Sequence, residues 1–341
     1  MLARFDLLLP FLITIPEGEK FSIYQCNDEG YEIRIFPPIK TDVPVHRDDL
    51  SELLINGNPA YQANGLRIYF KKDSFDRRVE VECDPPYTLI TRTVNSFLLK
   101  LRFVTRYSKI HPINPSSTSW HLRYLNDDES ELEMKEGLVR GRGAKFFTFS
   151  WHVVNNDIWR EIFELPLNYI TPQWDNLLLD ANAALPAIGP SVVLAATALE
   201  VFISYILNEL SKNNSIPKDL WDWINKRDWW LQEPTTEERF DILLKVFLGV
   251  SLKENDALWK VFKDLKKARN SFVHEGVAKI GKNPISGEEA QKLLEKVSEI
   301  VKFIKDKLPK DLQWPEYKYS INVTAKKKIG FKTMGPTAFS A

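Results

Sequence analysis

A chain of 341 residues with 46 basic and 46 acidic side chains has no net formal charge, so any nucleic-acid-binding surface must be local. It is long enough for two domains with ample cores and needs no covalent staples. Its two cysteines, Cys26 and Cys83, lie far apart; no disulfide framework or zinc spacing exists, which suits a reducing cytoplasm.

Residues 1–10 are apolar but interrupted by Asp6 and Pro10, and no small-residue cleavage pattern precedes Glu17 and Lys20. They read as a strand, not a signal peptide. No run of eighteen apolar residues occurs, so no bilayer-spanning segment and no membrane partner are expected. Apolar and aromatic residues alternate over 21–24, 31–35, 66–70 and 78–82, which predicts strands. A helix is expected over 87–106, and further strands around 120–124 and 146–153. Residues 1–165 are thus expected to form a β-rich mixed domain, mostly antiparallel.

Pro166 and Pro172 bracket a connector, after which the periodicity becomes helical. Helices are predicted near 173–187, 190–211, 217–227, 236–249, 254–274 and 286–308. They are separated by Gly189-Pro190, Asn213-Asn214, Pro234-Thr235 and Asn283-Pro284. Thr235 or Thr236 can cap the fourth, and Ser286 with Glu289 forms a capping box for the last. The expected fold class is α+β: a β-rich domain over 1–165, then an all-α bundle over 172–310. From 311 to 341 an extended or disordered basic tail is expected, carrying Lys326, Lys327 and Lys328.

Polar chemistry concentrates near the end of the fifth helix. Leu258, Val261, Phe262, Leu265, Ala268 and Phe272 form one apolar stripe, and Arg269 falls inside it, about 20° from Leu258 in projection. A permanently charged guanidinium there calls for an anionic partner or a bound phosphate. Lys263, Lys267, Asn270 and His274 share one edge of the same helix, at spacings of four, three and four residues. Together with Arg269 they supply the groups that hold a phosphodiester and move a proton beside it.

Arginine, a polar residue, three more residues and then histidine resembles the R-X4-6-H signature of HEPN domains (higher eukaryotes and prokaryotes nucleotide-binding), in which asparagine often follows the arginine. Ala195-Ala196-Thr197-Ala198-Leu199-Glu200-Val201-Phe202 looks like the early helix of that domain, where a glutamate interrupts an apolar face. The resemblance covers roughly residues 172 to 310. It implies a metal-independent endoribonuclease without a cofactor, leaving a 2′,3′-cyclic phosphate and a 5′-hydroxyl. His274 would move protons, Arg269 would offset charge on the phosphorane, and Asn270 would position the phosphate. Lys263, Lys266 and Lys267 are the expected RNA contacts. One histidine per chain serves as acid or base, and HEPN ribonucleases pair two domains, so the resemblance also implies a homodimer. Chains built this way resemble abortive-infection and toxin-like antiviral defence effectors, with the first domain sensing a trigger or a regulatory partner.

Glu200 is expected to orient Arg269 through a bidentate pair; the other reading is that it reaches solvent from the edge of its stripe. Arg269 and His274 also admit a bland account, a structural ion pair and a helix-end cap followed by Gly276. On that account the chain is a non-catalytic nucleotide-binding, RNA-binding or dimerisation protein. Trp221, Trp223, Trp229 and Trp230, with Lys226 and Arg227 between them, suit packing or a dimer surface better than base stacking. Residues 140–145 read as a basic hairpin turn, not a phosphate loop. His46, His111, His121 and His152 show no metal-ligand spacing.

Overall fold

A computed structural model describes residues 1–40, 50–73, 75, 84–114, 118–130, 138–140, 152–166, 169–225, 233–317 and 323–327. The chain divides into two units, one formed by Met1–Tyr169 with Tyr317–Ala341 and the other by Ile170–Glu316.

In the first unit the apolar N-terminal run becomes β1 (Leu2–Pro16). It lies between β6 (Asn58–Lys71) and β7 (Trp120–Leu125), antiparallel to both, with Phe5 opposite Ile68 and Leu122. Paired on both edges, β1 buries Leu2, Phe5, Leu7 and Leu9. Two-residue turns join the neighbouring strands. Glu29 and Gly30, both at positive φ, connect β2 (Tyr24–Asp28) to β3 (Tyr31–Ile35). Asn56 and Gly57 do the same between β5 (Leu50–Ile55) and β6, the backbone form that matches strand twist. β3 pairs with β6, as does the short β4 (Ile39–Lys40), and β8 (Leu138–Arg140) pairs with β7.

α1 (Tyr87–Thr105) buries Leu89, Ile90, Val94, Phe97, Leu98 and Leu101 at helical spacing. α2 (Asn156–Glu164) starts at Asn155, whose side chain accepts from the Ile158 N–H at 2.9 Å. Phe163 of α2 stacks on Tyr24 of β2 with ring centres 3.9 Å apart and also meets Phe97 of α1. Both helices therefore lie over the β2–β3 hairpin. The strand expected over 78–82 and most of that over 146–153 fall outside the described residues, although Val153 bridges to Thr14.

The second unit is helical: α3 (Gln173–Ala184), α4 (Ile188–Asn213), α5 (Lys218–Asn225), α6 (Thr236–Glu238), α7 (Leu244–Leu248), α8 (Asp256–Glu275) and α9 (Gly287–Lys305). A π-helical turn, Arg239–Leu243, joins α6 to α7. A small hairpin of β9 (Lys279–Ile280) and β10 (Asn283–Pro284) precedes α9. Capping boxes form at Thr235 with Glu238 and at Ser286 with Glu289. α4 is the central element, packed by α3, α8 and α9. By length and composition α4 is apolar enough to cross a membrane, although polar residues break its run; more than half of that span is buried inside the protein. Val192, Leu199, Phe202, Ile206 and Leu210 form its core face, and each such side chain contributes about 1.5–3 kcal/mol on burial.

Of the extended or disordered basic tail expected over 311–341, the described residues 311–317 and 323–327 are packed or paired and not disordered. Lys310–Leu312 form a 3-10 turn, and Trp314 packs edge-on against Trp174, with ring centres 4.8 Å apart. Val323–Lys327 then form β11, antiparallel to β5 in the first unit's sheet. Lys326 and Lys327 belong to that strand, and Lys328 lies outside the described residues. Pairing satisfies backbone groups that a solvated arm would leave to water.

Candidate functional site

α8 begins at Asn255, whose side chain accepts from the Leu258 N–H at 3.2 Å. Leu258, Phe262, Leu265 and Ala268 then face the core. At the other end the stripe meets the start of α4. A Cβ on Gly189 would lie 1.9 Å from the Phe272 ring, so glycine is what lets the two helices approach there. Next to the buried Ala268, Arg269 is only half-buried.

The Arg269 guanidinium donates from Nη1 to Asn270 Oδ1 at 3.1 Å. Among the described residues no carboxylate lies within ion-pair distance of it. Asn270 thus holds the guanidinium in place, and the remaining N–H donors keep their full capacity for an anion. His274 is exposed in the last turn, before Gly276 closes the helix in the left-handed region and donates its N–H to the Phe272 carbonyl at 2.8 Å. Val273 and Val277 on either side are 54% and 43% exposed.

Ser271 ties the site to the next element. Its hydroxyl donates to the Ala268 carbonyl at 3.0 Å and accepts from the Lys279 N–H at 2.7 Å, so β9 is anchored to α8. A serine two residues past the arginine gives no sequence signal for this, because the partner is a backbone group beyond a turn.

Three expected contacts are placed differently. Glu200 does not orient Arg269: it is exposed, and no ion pair joins the two. Gly189 faces Phe272, and Glu200 lies about 16 Å along α4 from that contact whereas Arg269 lies about 4.5 Å along α8 from it, so the two sit at different levels. Lys263 and Lys266 are not free RNA contacts, since both donate to Glu237 Oε1, at 2.8 and 2.7 Å. Those two hydrogen bonds hold the Glu237 carboxyl below its usual range. Lys267 is exposed and only 3.8 Å from Asp264 at closest, so it keeps its reach into solvent. The site retains positive character: residues 256–282 contain more lysines and arginines than aspartates and glutamates.

Of the tryptophans, Trp221 is buried, donates to Asn208 Oδ1 at 2.7 Å and meets Phe247 edge-on. Trp223 is 60% exposed, whereas Lys226, Arg227, Trp229 and Trp230 lie outside the described residues, as do His46 and residues 141–145. His111 contacts Arg102, and His152 stacks on Tyr107. Among the described residues no group of three metal-ligating side chains gathers.

Comparison with protein-family models, with curated proteins and with solved structures gave no match.

Proposed function

We propose that the helical unit is a HEPN-type, metal-independent endoribonuclease that acts as a homodimer. The observation that carries this reading is the Arg269 guanidinium, held by Asn270, unopposed by any carboxylate among the described residues, and little more than one turn from an exposed His274. In the reaction the ribose 2′-oxygen attacks phosphorus while the bond to the 5′-oxygen breaks. One His274 takes the 2′-hydroxyl proton, and the His274 of a second copy delivers a proton to the leaving oxygen. Arg269 stabilises the charge that builds on the phosphorane. Lys267, with the single net charge left by Lys263, Lys266 and Glu237, holds neighbouring phosphates.

The setting that fits this chemistry is a cytoplasmic toxin-like or antiviral defence effector of the abortive-infection kind, with the β-rich unit sensing the trigger. Exposed Val273 and Val277 beside His274 suit contact with a second copy, and they equally suit a dimerisation scaffold without catalysis.

Cleavage of transfer RNA and total RNA by the full chain separates the two readings. His274→Ala is expected to lower the rate about 10²- to 10⁴-fold, and Arg269→Ala about 10²- to 10³-fold, with thermal unfolding of the His274 variant unchanged. Specific activity should rise with protein concentration until dimers saturate. Equal cleavage by the wild type and both variants would leave only the scaffold.

A further inference from the structure

Away from α8, the first unit contains a cavity of about 290 Å³ between the β2–β3 hairpin, α1 and α2. That is close to the lower end of ligand-pocket sizes, about 300–1,000 Å³. Its walls are mostly apolar: Ile33, Phe97 and the stacked rings of Tyr24 and Phe163. Its polar groups are Cys26 and Asp28 of β2 and, on α1, Thr93 beside an edge where Arg92, Ser96 and Lys100 follow one another at four-residue spacing.

The two cations of that edge are in opposite situations. Arg92 is neutralised by Asp28 at 2.6 Å and Glu29 at 2.9 Å. Lys100 is 3% exposed, and its Nζ reaches only the Leu165 carbonyl, at 3.4 Å. Among the described residues it has no carboxylate partner. Of the potentially anionic groups on the wall, Asp28 is engaged by Arg92, and Cys26 has its thiol pushed up by burial, so it stays neutral and leaves the ammonium uncompensated. Burial correspondingly pushes the Lys100 ammonium down from its usual value. An amine this buried at the wall of an apolar cavity is costly as a cation and gains strongly from a matching anion.

We infer that this cavity binds a small apolar monocarboxylate, its acid group on Lys100 Nζ and its ring or short chain among Tyr24, Phe97 and Phe163. The charge count selects a monoanion. Only Lys100 lacks a counter-charge, and Asp28 on the same wall repels a second negative group. The site does not depend on the nuclease reading and would stand if that reading failed.

Calorimetric titration of the full chain with 3-phenylpropionate, octanoate and indole-3-acetate tests this, with the corresponding primary amides as neutral controls. At least one acid should bind about tenfold or more tightly than its amide. Lys100→Met, which keeps the apolar stem, should remove that preference. Because the Lys100 ammonium titrates below its ordinary value, affinity for the acid should fall as pH rises through the lowered pKa, with a proton taken up on binding at the high-pH side. Wild-type protein that binds acid and amide alike, or binds none of the three acids at millimolar concentration, overturns the proposal, and both results are read on the wild type without the variant.

Discussion

Arg269 and Glu200 show what a helical wheel conveys and what it omits. The angle of Arg269 on α8 places it on the core stripe, and in the structure it is half-buried. Glu200 shares nearly the same angle on α4 as the buried Leu207, yet Glu200 is exposed and Leu207 is not. The wheel angle does not by itself decide burial at the edge of a stripe, because burial also requires a neighbouring helix on that side at that level. The same blindness hid Glu237, which lies more than twenty residues before the lysines it binds. Glu237→Gln is expected to free Lys263 and Lys266, raising RNA affinity and steepening its salt dependence by about 0.7 for each further phosphate neutralised. Filter binding over a salt series checks it; an unchanged slope would mean that neither lysine reaches RNA. A pH effect accompanies it. The Glu237 carboxyl titrates below its unfolded value, so its contribution to stability is present above the ordinary carboxylate range and disappears as pH falls through the folded value. The variant should lack that part of the acid sensitivity in urea denaturation.

Between elements, the tightest approach at a helical glycine is Gly189 against Phe272. Gly189→Ala would ordinarily gain about 0.5–1 kcal/mol in a helix, but the added methyl overlaps the ring, and overpacking costs about 1–3 kcal/mol. A net loss of stability by denaturant titration is expected, together with slower RNA cleavage as α8 shifts. A gain in stability would show that the ring swings aside freely. The helices are legible in the sequence because apolar period, caps and Gly or Pro breaks agree: the predicted segments correspond to α3, α4, α5, the α6–α7 run, α8 and α9. Strands are less so. The first strand of the β2–β3 hairpin sits three residues later than the 21–24 pattern suggests, because the turn at Glu29-Gly30 sets the register. Asn56-Gly57 is a strong hairpin signal, but β5 beside it ends in the unbroken apolar run Leu53-Leu54-Ile55 and so shows no alternating pattern. Nothing in the sequence pattern reveals the Lys100 cavity, which depends on a helix edge meeting a strand from a distant segment.

For the whole chain, the division into units is not a simple succession. The helical unit is inserted into the first, since the chain leaves at Tyr169, returns at Tyr317 and ends its described course in β11 on the outer edge of β5. Local composition favours a solvated tail because Lys326 and Lys327 sit among few apolar residues; lysine on an outer strand is also how sheets discourage further pairing. Truncation after Glu316 is expected to lower amide protection in β5 while leaving α4 and α8 protected, measured by hydrogen exchange. Equal protection of β5 in both forms would show that the last strand adds nothing to the sheet.

The placement of β11 also orders events during translation. Synthesis runs from the N-terminus, so every helix of the inserted unit leaves the ribosome before the strand that completes the sheet. Through that interval β5 presents a bare row of amides and carbonyls, and a ribosomal stall between codons 316 and 323 prolongs the time in which a strand from another nascent chain can take the place reserved for β11.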